Sequence, residues 1–315
     1  DGCNSPSLKA WWDREAWKSG ASDDWRFFCW WNLDENTNTY HLSSLQISSL
    51  GDTLTTLDVS KFAQLDYLYC ENNGIKELSL KSNSKLGGIS ISSCHKLESL
   101  ILPDEKANLR SLYCLGNSQL TSLEIGDYTN LTELNLRGSE ALSGVDLSRL
   151  AKLEYLWCNY TQLEPIDVSK YPKLRALGVS RKTKKLDLAQ ASDSLTEIDP
   201  AGSMLQFSTL KLKEGISYKV SAAQTYLSIE DFREKTGYEE WNPIYLFPIG
   251  KEIDLSAEMT VGGKTTKVVG RARDRETYNW KTLNLSDSAG KYTITSGQAN
   301  DNVEIILTNE TFPDW

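Results

Sequence analysis

Leucines return along this chain with a period in the low twenties. Aligned on L-x-x-L-x-(L/I/C/V)-x-x-(N/S/C), units start at Leu42, Leu65, Leu86, Leu109, Leu131, Leu153, Leu174 and Leu195, at spacings of 23, 21, 23, 22, 22, 21 and 21 residues. Eight units in one register exclude chance. Each such unit supplies one strand to a parallel sheet on the inside of a curved solenoid, and none can bury its leucines without neighbours on both sides.

A second apolar motif follows about eleven residues later, in "LTTLDVS" (54–60), "IKELSLK" (75–81), "LTSLEIG" (120–126), "LSGVDLS" (142–148) and "LEPIDVS" (163–169). It predicts the outer, convex side of each coil, with the two leucine sets meeting across a narrow interior. Asn73 and Asn117 stand at the ninth position, where an asparagine can bond the backbone as the chain leaves the strand and stack into a ladder. Cys94, Ser139, Thr161, Lys182 and Ser203 hold that place elsewhere, so the ladder is irregular, and the Lys182 coil is expected to bulge. These features define the fold class as a leucine-rich-repeat solenoid with a concave parallel sheet.

An open solenoid exposes leucines at both ends and needs caps. Residues 1–41 read as a tryptophan-rich helical cap: Ser5 can cap a helix with Pro6 at its first position, Gly20 follows its end, and six of the ten tryptophans lie in the first 31 residues. Residues 42–207 form the solenoid. From 208 to 315 period-2 strands take over; Ile253, Leu255, Ala257, Met259 and Val261 alternate with polar residues, "GG" at 262–263 turns the chain, and "YNWKTL", "KYTIT" and "NVEIILT" follow. About seven short strands predict an immunoglobulin-like β-sandwich. Within it, 228–250 reads as a short helix followed by an aromatic arm, making Tyr238, Trp241, Tyr245 and Phe247 a secondary candidate surface.

Six cysteines are too few for a disulfide scaffold. Cys70, Cys114 and Cys158 recur every 44 residues, in alternate coils roughly 9.6 Å apart, beyond the reach of a disulfide. They read as buried thiols acting as small hydrophobes, with Cys94 a ladder substitute. Cys3 and Cys29 could pair within the cap, or Cys3 could mark the neighbourhood of a lipid-modified terminus. The net charge of -9 disfavours nucleic acid and anionic lipid as partners and weakly favours a basic one. No stretch approaches the ~20 apolar residues of a membrane-spanning helix, and a chain that starts at Asp1 reads as a processed product.

The third, fifth and seventh positions of each coil are expected to face the concave side. The fifth-position series is Gln46, Tyr69, Ser90, Tyr113, Asn135, Trp157, Gly178 and Asp199, so large rings alternate with small or polar residues. Tyr67 and Tyr155 add rings at the third position, and Glu133 and Arg137 add charge. Tyr67, Tyr69, Tyr113, Glu133, Asn135, Arg137, Tyr155 and Trp157 are therefore the candidate ligand-binding residues, tyrosine and tryptophan being enriched at binding hot spots. The rings equally suit the reading that they merely cover the sheet.

"LTTLDVSKFAQLDYLYCENNGIKELSL" resembles the secreted and cell-surface leucine-rich-repeat proteins of Bacteroidetes. "LQFSTL", "EIDLSAEMTVGGKTT" and "LTNETFPDW" look like the β-module that follows those repeats, and "DREAW" with "DDW" like their entry cap. Residues 228–250 depart from the pattern, and the module usually runs one strand further than Trp315. The architecture is also similar to that of internalins, though the repeat consensus differs. The resemblance implies export, surface display and binding without catalysis, and it names no ligand.

No catalytic residue, metal ligand or cofactor is assigned. His41 and His95 lie in different parts of the solenoid, which leaves a Ser-His-Asp arrangement without support. "VGGKTT" lacks the first glycine and the helix of a phosphate loop, and "DENTN" lacks the glycine and glutamate of a calcium loop. Two functions follow: a surface adhesin or protein-interaction receptor, or a glycan- or peptide-capturing accessory lipoprotein of an outer-membrane nutrient-uptake complex.

Overall fold

The computed structural model describes residues 27–36, 38–203 and 205, together with separate strands between 210 and 308. The chain divides into two compact units, Asp1–Glu164 with Lys170–Arg175, and Pro165–Ser169 with Ala176–Trp315.

In the first unit β1 (Phe27–Asp34) and β2 (Thr39–Gly51) form an antiparallel hairpin. From β2 onward the sheet is parallel, one strand per repeat: β3 (Tyr67–Asn73), β5 (Gly88–Ser92), β7 (Ser111–Tyr113), β8 (Glu133–Asn135) and β9 (Tyr155–Trp157). Between them β4 (Glu77–Ser79) and β6 (Ser99–Ile101) pair on the opposite side, and Ser122 bridges Gly144 further along. These are the convex segments the second motif predicts.

The repeat leucines fill the interior. Leu65, Leu68, Leu109, Leu112, Leu131, Leu134, Leu153 and Leu156 are each 0% exposed, and Leu54, Val59, Leu80 and Ile125 meet them from the convex side. "DVS" and its variants close the convex turn: the carboxylates of Asp58, Asp146 and Asp167 accept the backbone N–H of Ser60, Ser148 and Ser169, the turn for which aspartate is suited.

The ladder is present, and its geometry explains the ninth position. Asn117 Oδ1 accepts from Cys94 N at 3.0 Å while its Nδ2 donates to Ile91 O at 2.7 Å. Asn73 does the same for Leu50 N and Ile47 O. Ser139 Oγ donates to Cys114 O of the preceding coil, as the amide does, whereas Thr161 Oγ1 donates to Cys158 O within its own coil. Lys182 is exposed, and Thr183, 1% exposed, takes the buried place one residue later. The residue before the ladder has positive φ in coil after coil: Ser49, Asn72, Ser93, Gly116, Gly138, Tyr160 and Gly202 lie between 51° and 73° except Gly138 at 75°. A left-handed residue here turns the chain out of the strand, and glycine adopts it without strain.

Cys70, Cys94, Cys114 and Cys158 are free and 0% exposed, as small hydrophobes should be. In the sheet register Cys70 pairs with Ile91, so the row alternates thiols with aliphatic side chains. Cys158→Val, close to isosteric, should cost less than about 1.5 kcal/mol of stability in urea unfolding. Cys70 differs, because Asn73 Nδ2 donates to its sulfur at 3.2 Å.

Several expectations change. Phe27–Asp34, assigned to a helical cap, is a strand, because its side chains alternate between interior and outside; the described residues contain no α-helix. The helix expected from Ser5 to Gly20 lies outside the described residues. Cys29 is a buried thiol, and Cys3, the partner considered for it, lies outside the described residues. The seventh position is not uniformly concave, since Asn159 is 0% exposed: the strands of β7 to β9 end at the fifth position.

In the second unit β10 (Ala176–Gly178), β12 (Glu197–Asp199) and β14 (Lys219–Val220) continue a parallel repeat, flanked by β11 (Leu186–Asp187) pairing with β13 (Leu210–Lys211). After them the pairing becomes antiparallel. β15 (Glu252–Asp254), β21 (Lys291–Ile294) and β20 (Leu285–Ser288) form one sheet; β19 (Trp280–Leu283), β18 (Lys267–Arg273) and β22 (Asn302–Thr308) form another. β16 (Thr260–Val261) and β17 (Lys264–Thr265) make the hairpin expected at the double glycine.

Candidate functional site: the concave face

Strand alternation builds this face. In "YLYC" Leu68 and Cys70 point inward, so Tyr67 and Tyr69 point out; in "SLY", "ELN" and "YLW" the central leucine is buried and its two neighbours emerge. The parallel register then lines these residues up in two rows. One runs Ser44, Tyr67, Gly88, Ser111, Glu133, Tyr155, the other Gln46, Tyr69, Ser90, Tyr113, Asn135, Trp157.

The rings are partly enclosed rather than free-standing. A Cβ on Gly88 would sit 2.4 Å from Cδ2 of Tyr67, so the Tyr67 ring lies over the next strand and glycine is what admits it. Tyr113 donates its hydroxyl proton to a Glu133 carboxylate oxygen, and Tyr69 donates to Glu71. Burial, and then the Glu71 hydrogen bond, pushes the Tyr69 phenol up to about 12. Burial and Glu133 raise Tyr113 in the same way, and burial with the Glu133 charge raises Tyr67. Tyr113, Glu133, Leu134, Asn135, Tyr155 and Trp157 line a cleft of about 260 Å³.

Seven of the eight predicted residues thus meet on one surface. Arg137 does not join them: its guanidinium lies 5.9 Å from the centroid of the Tyr160 ring, and its backbone N–H is held by Asn135 Oδ1 at 3.1 Å. Tyr238, Trp241, Tyr245 and Phe247 lie outside the described residues.

The hairpin adds two residues that the helical reading of the cap hid. Phe28 pairs with Gln46 and Trp30 with Ser44, which places both rings on the concave rows. They are 36% and 60% exposed and meet edge to face, centroids 5.4 Å apart. The alternation of Phe27 and Cys29 with Phe28 and Trp30 carries a period-2 signal, hidden by the local density of tryptophan.

Other chemistry is sparse. His41 contacts Thr39 and Asp34 at the hairpin surface. The five described thiols are buried, which bars them from nucleophilic attack on a solvent-borne substrate. Among the described residues no group of three His, Cys, Asp or Glu could hold a metal ion, and no helix is long and apolar enough to cross a membrane.

Repeat, register and ladder define the class, a leucine-rich-repeat solenoid whose described concave face is aromatic and acidic. No protein-family model matches the chain, and no curated protein matches it. Among solved structures it is similar to the functional domain of InlJ from Listeria monocytogenes, which includes a cysteine ladder, at 17% identity and TM-score 0.33 over 88% of this chain and 68% of that one. It is also similar to the internalin InlF from Listeria monocytogenes, at 17% identity and TM-score 0.31 over 60% of this chain and 73% of that one. Likenesses this distant carry no argument about function.

Proposed function

We propose that this is a non-catalytic surface-displayed binding protein, an adhesin or interaction receptor, whose concave face captures a protein partner. The observation that carries the reading is the joining of five aromatic rings, Tyr67, Tyr69, Tyr113, Tyr155 and Trp157, into two rows along one sheet face. Rings in such a position give large contact area with few rotatable bonds. Residues 1–41 and 208–315 serve as caps, the latter as an immunoglobulin-like sandwich built from the two three-stranded antiparallel sheets.

The test compares the wild-type protein with Tyr113→Ala and Trp157→Ala. Each should weaken partner binding by roughly 1 to 3 kcal/mol, a larger effect than on stability, because these half-buried rings stand on the sheet face and outside the leucine core. Lys152→Ala, whose exposed amine bonds Asn130, should change neither quantity. Pull-down from envelope extract beside a glycan array supplies the partner. A partner held equally by the Tyr69→Ala, Tyr113→Ala, Trp157→Ala triple variant would move the site elsewhere, with residues 228–250 next. A ligand found on the glycan array and lost in the variant would replace the protein partner with a sugar.

A further inference from the structure

On the described surface away from the concave sheet, several carboxylates are paired with cations. Asp127 holds Lys106 at 2.9 Å and also Arg149, Asp52 holds Lys96 at 2.8 Å, and Glu154 faces Arg175 at 3.6 Å. On the concave sheet two carboxylates are held otherwise. Glu71 and Glu133 are engaged by tyrosine hydroxyls, and among the described residues no lysine or arginine pairs with either. A single hydroxyl leaves most of a carboxylate's acceptor sites open. Around Glu133 those open sites face a cleft of about 260 Å³ walled by Tyr113, Tyr155 and Trp157.

A carboxylate set among aromatic faces discriminates by charge. It repels anions, and it attracts an ammonium or guanidinium twice over, through a charge-assisted hydrogen bond and through the ring quadrupoles. The tyrosine hydroxyls hold both carboxylates in place, so less ordering accompanies capture. The two carboxylates also have a spacing. In the order β3-β5-β7-β8 their strands are three steps apart, roughly 14 Å, and Glu71 stands four positions further along its strand than Tyr67, the residue in register with Glu133, which brings the backbone separation to about 19 Å. An extended segment covers about that distance in roughly six residues.

We propose that the concave face recognises a basic protein segment, seating one lysine or arginine at Glu133 between Tyr113, Tyr155 and Trp157 and a second at Glu71 beside Tyr69. This rests on the concave face being the binding face. The net charge of -9 favours the encounter at long range, while the carboxylate and ring positions supply the selectivity.

Decalysine is a suitable probe, titrated by calorimetry and tryptophan fluorescence at low salt against decaglutamate and a neutral oligosaccharide. Wild-type protein should bind decalysine alone. The Glu71→Gln, Glu133→Gln double variant, near-isosteric and expected to melt like wild type, should lose at least about tenfold in affinity. The Asp52→Asn, Asp104→Asn variant removes the same charge elsewhere and should bind like wild type. Equal loss in both double variants would reduce the effect to net charge and overturn the proposal, as would no decalysine binding. If instead the oligosaccharide binds and Trp157→Ala abolishes it, the concave face stands as the binding face and cation recognition fails. If decalysine binding survives in the triple aromatic variant, the concave-face reading itself fails.

Discussion

Asn117→Ala should lower the unfolding free energy by about 2 to 5 kcal/mol, a large fraction of what a domain has to lose. Asn117 is 0% exposed, and its amide is the partner of two buried backbone groups in the preceding coil, Cys94 N–H and Ile91 C=O. Alanine removes both partners and leaves a space that the surrounding leucines cannot fill without moving. Each stranded group costs about 1 to 3 kcal/mol. Asn117 N–H itself bonds Ser139 Oγ, so the ladder is chained from coil to coil and the loss is not confined to one turn. Urea unfolding of variant and wild type measures it. A loss under about 1 kcal/mol would mean that water or a shifted backbone satisfies both groups, and the ladder would then be ornament rather than a fastening between coils.

What could be read in advance follows from how local each signal is. The leucine period is written at every repeat, and it gave the solenoid, the concave rows and the buried state of Cys70, Cys114 and Cys158. Asn73 and Asn117 could be assigned to the ladder because an amide at a fixed offset has one role to play there. The left-handed residue just before it was harder to see. Glycine marks it at Gly116, Gly138 and Gly202, but Ser49, Ser93 and Tyr160 occupy the same conformation, and nothing in those residue types announces a positive φ. The one-residue slip from Lys182 to Thr183 is similar, since both the lysine and the threonine fit a turn and packing decides between them. Polar pairing on the concave face depends on the sheet rather than on the chain. Tyr113 and Glu133 are twenty residues apart and meet because β7 and β8 are adjacent; Arg137, on the same repeat as Glu133, turns to Tyr160 instead. Phe28 and Trp30 were misplaced for a different reason. Tryptophan-rich composition suggested a lid, and the weaker alternation that makes them a strand was overruled.

Buried thiols make the fold sensitive to base. Burial pushes Cys114 and Cys158 up to about 12 from an ordinary value of 9.0, and Cys29 likewise. A raised folded-state value means that the unfolded chain releases these protons first. The stabilisation is fully present below pH 9 and is lost as pH rises from 9 towards 12. Each thiol loses about 1.4 kcal/mol per pH unit within that window. Between pH 8 and pH 10.5 the Cys114 and Cys158 pair alone should therefore lower stability by roughly 4 kcal/mol. Tyr69, also raised to about 12, adds to the loss above pH 10 as its hydroxyl hydrogen bond to Glu71 weakens. Urea midpoints measured under reducing conditions at the two pH values should fall steeply for wild type. They should fall much less for the Cys114→Val, Cys158→Val double variant, which has nothing to ionise at those positions. The same fall in both proteins would show that the thiols do not govern the alkaline limit, and the next candidates would be the concave tyrosines, whose loss would also unlatch Glu71 and Glu133.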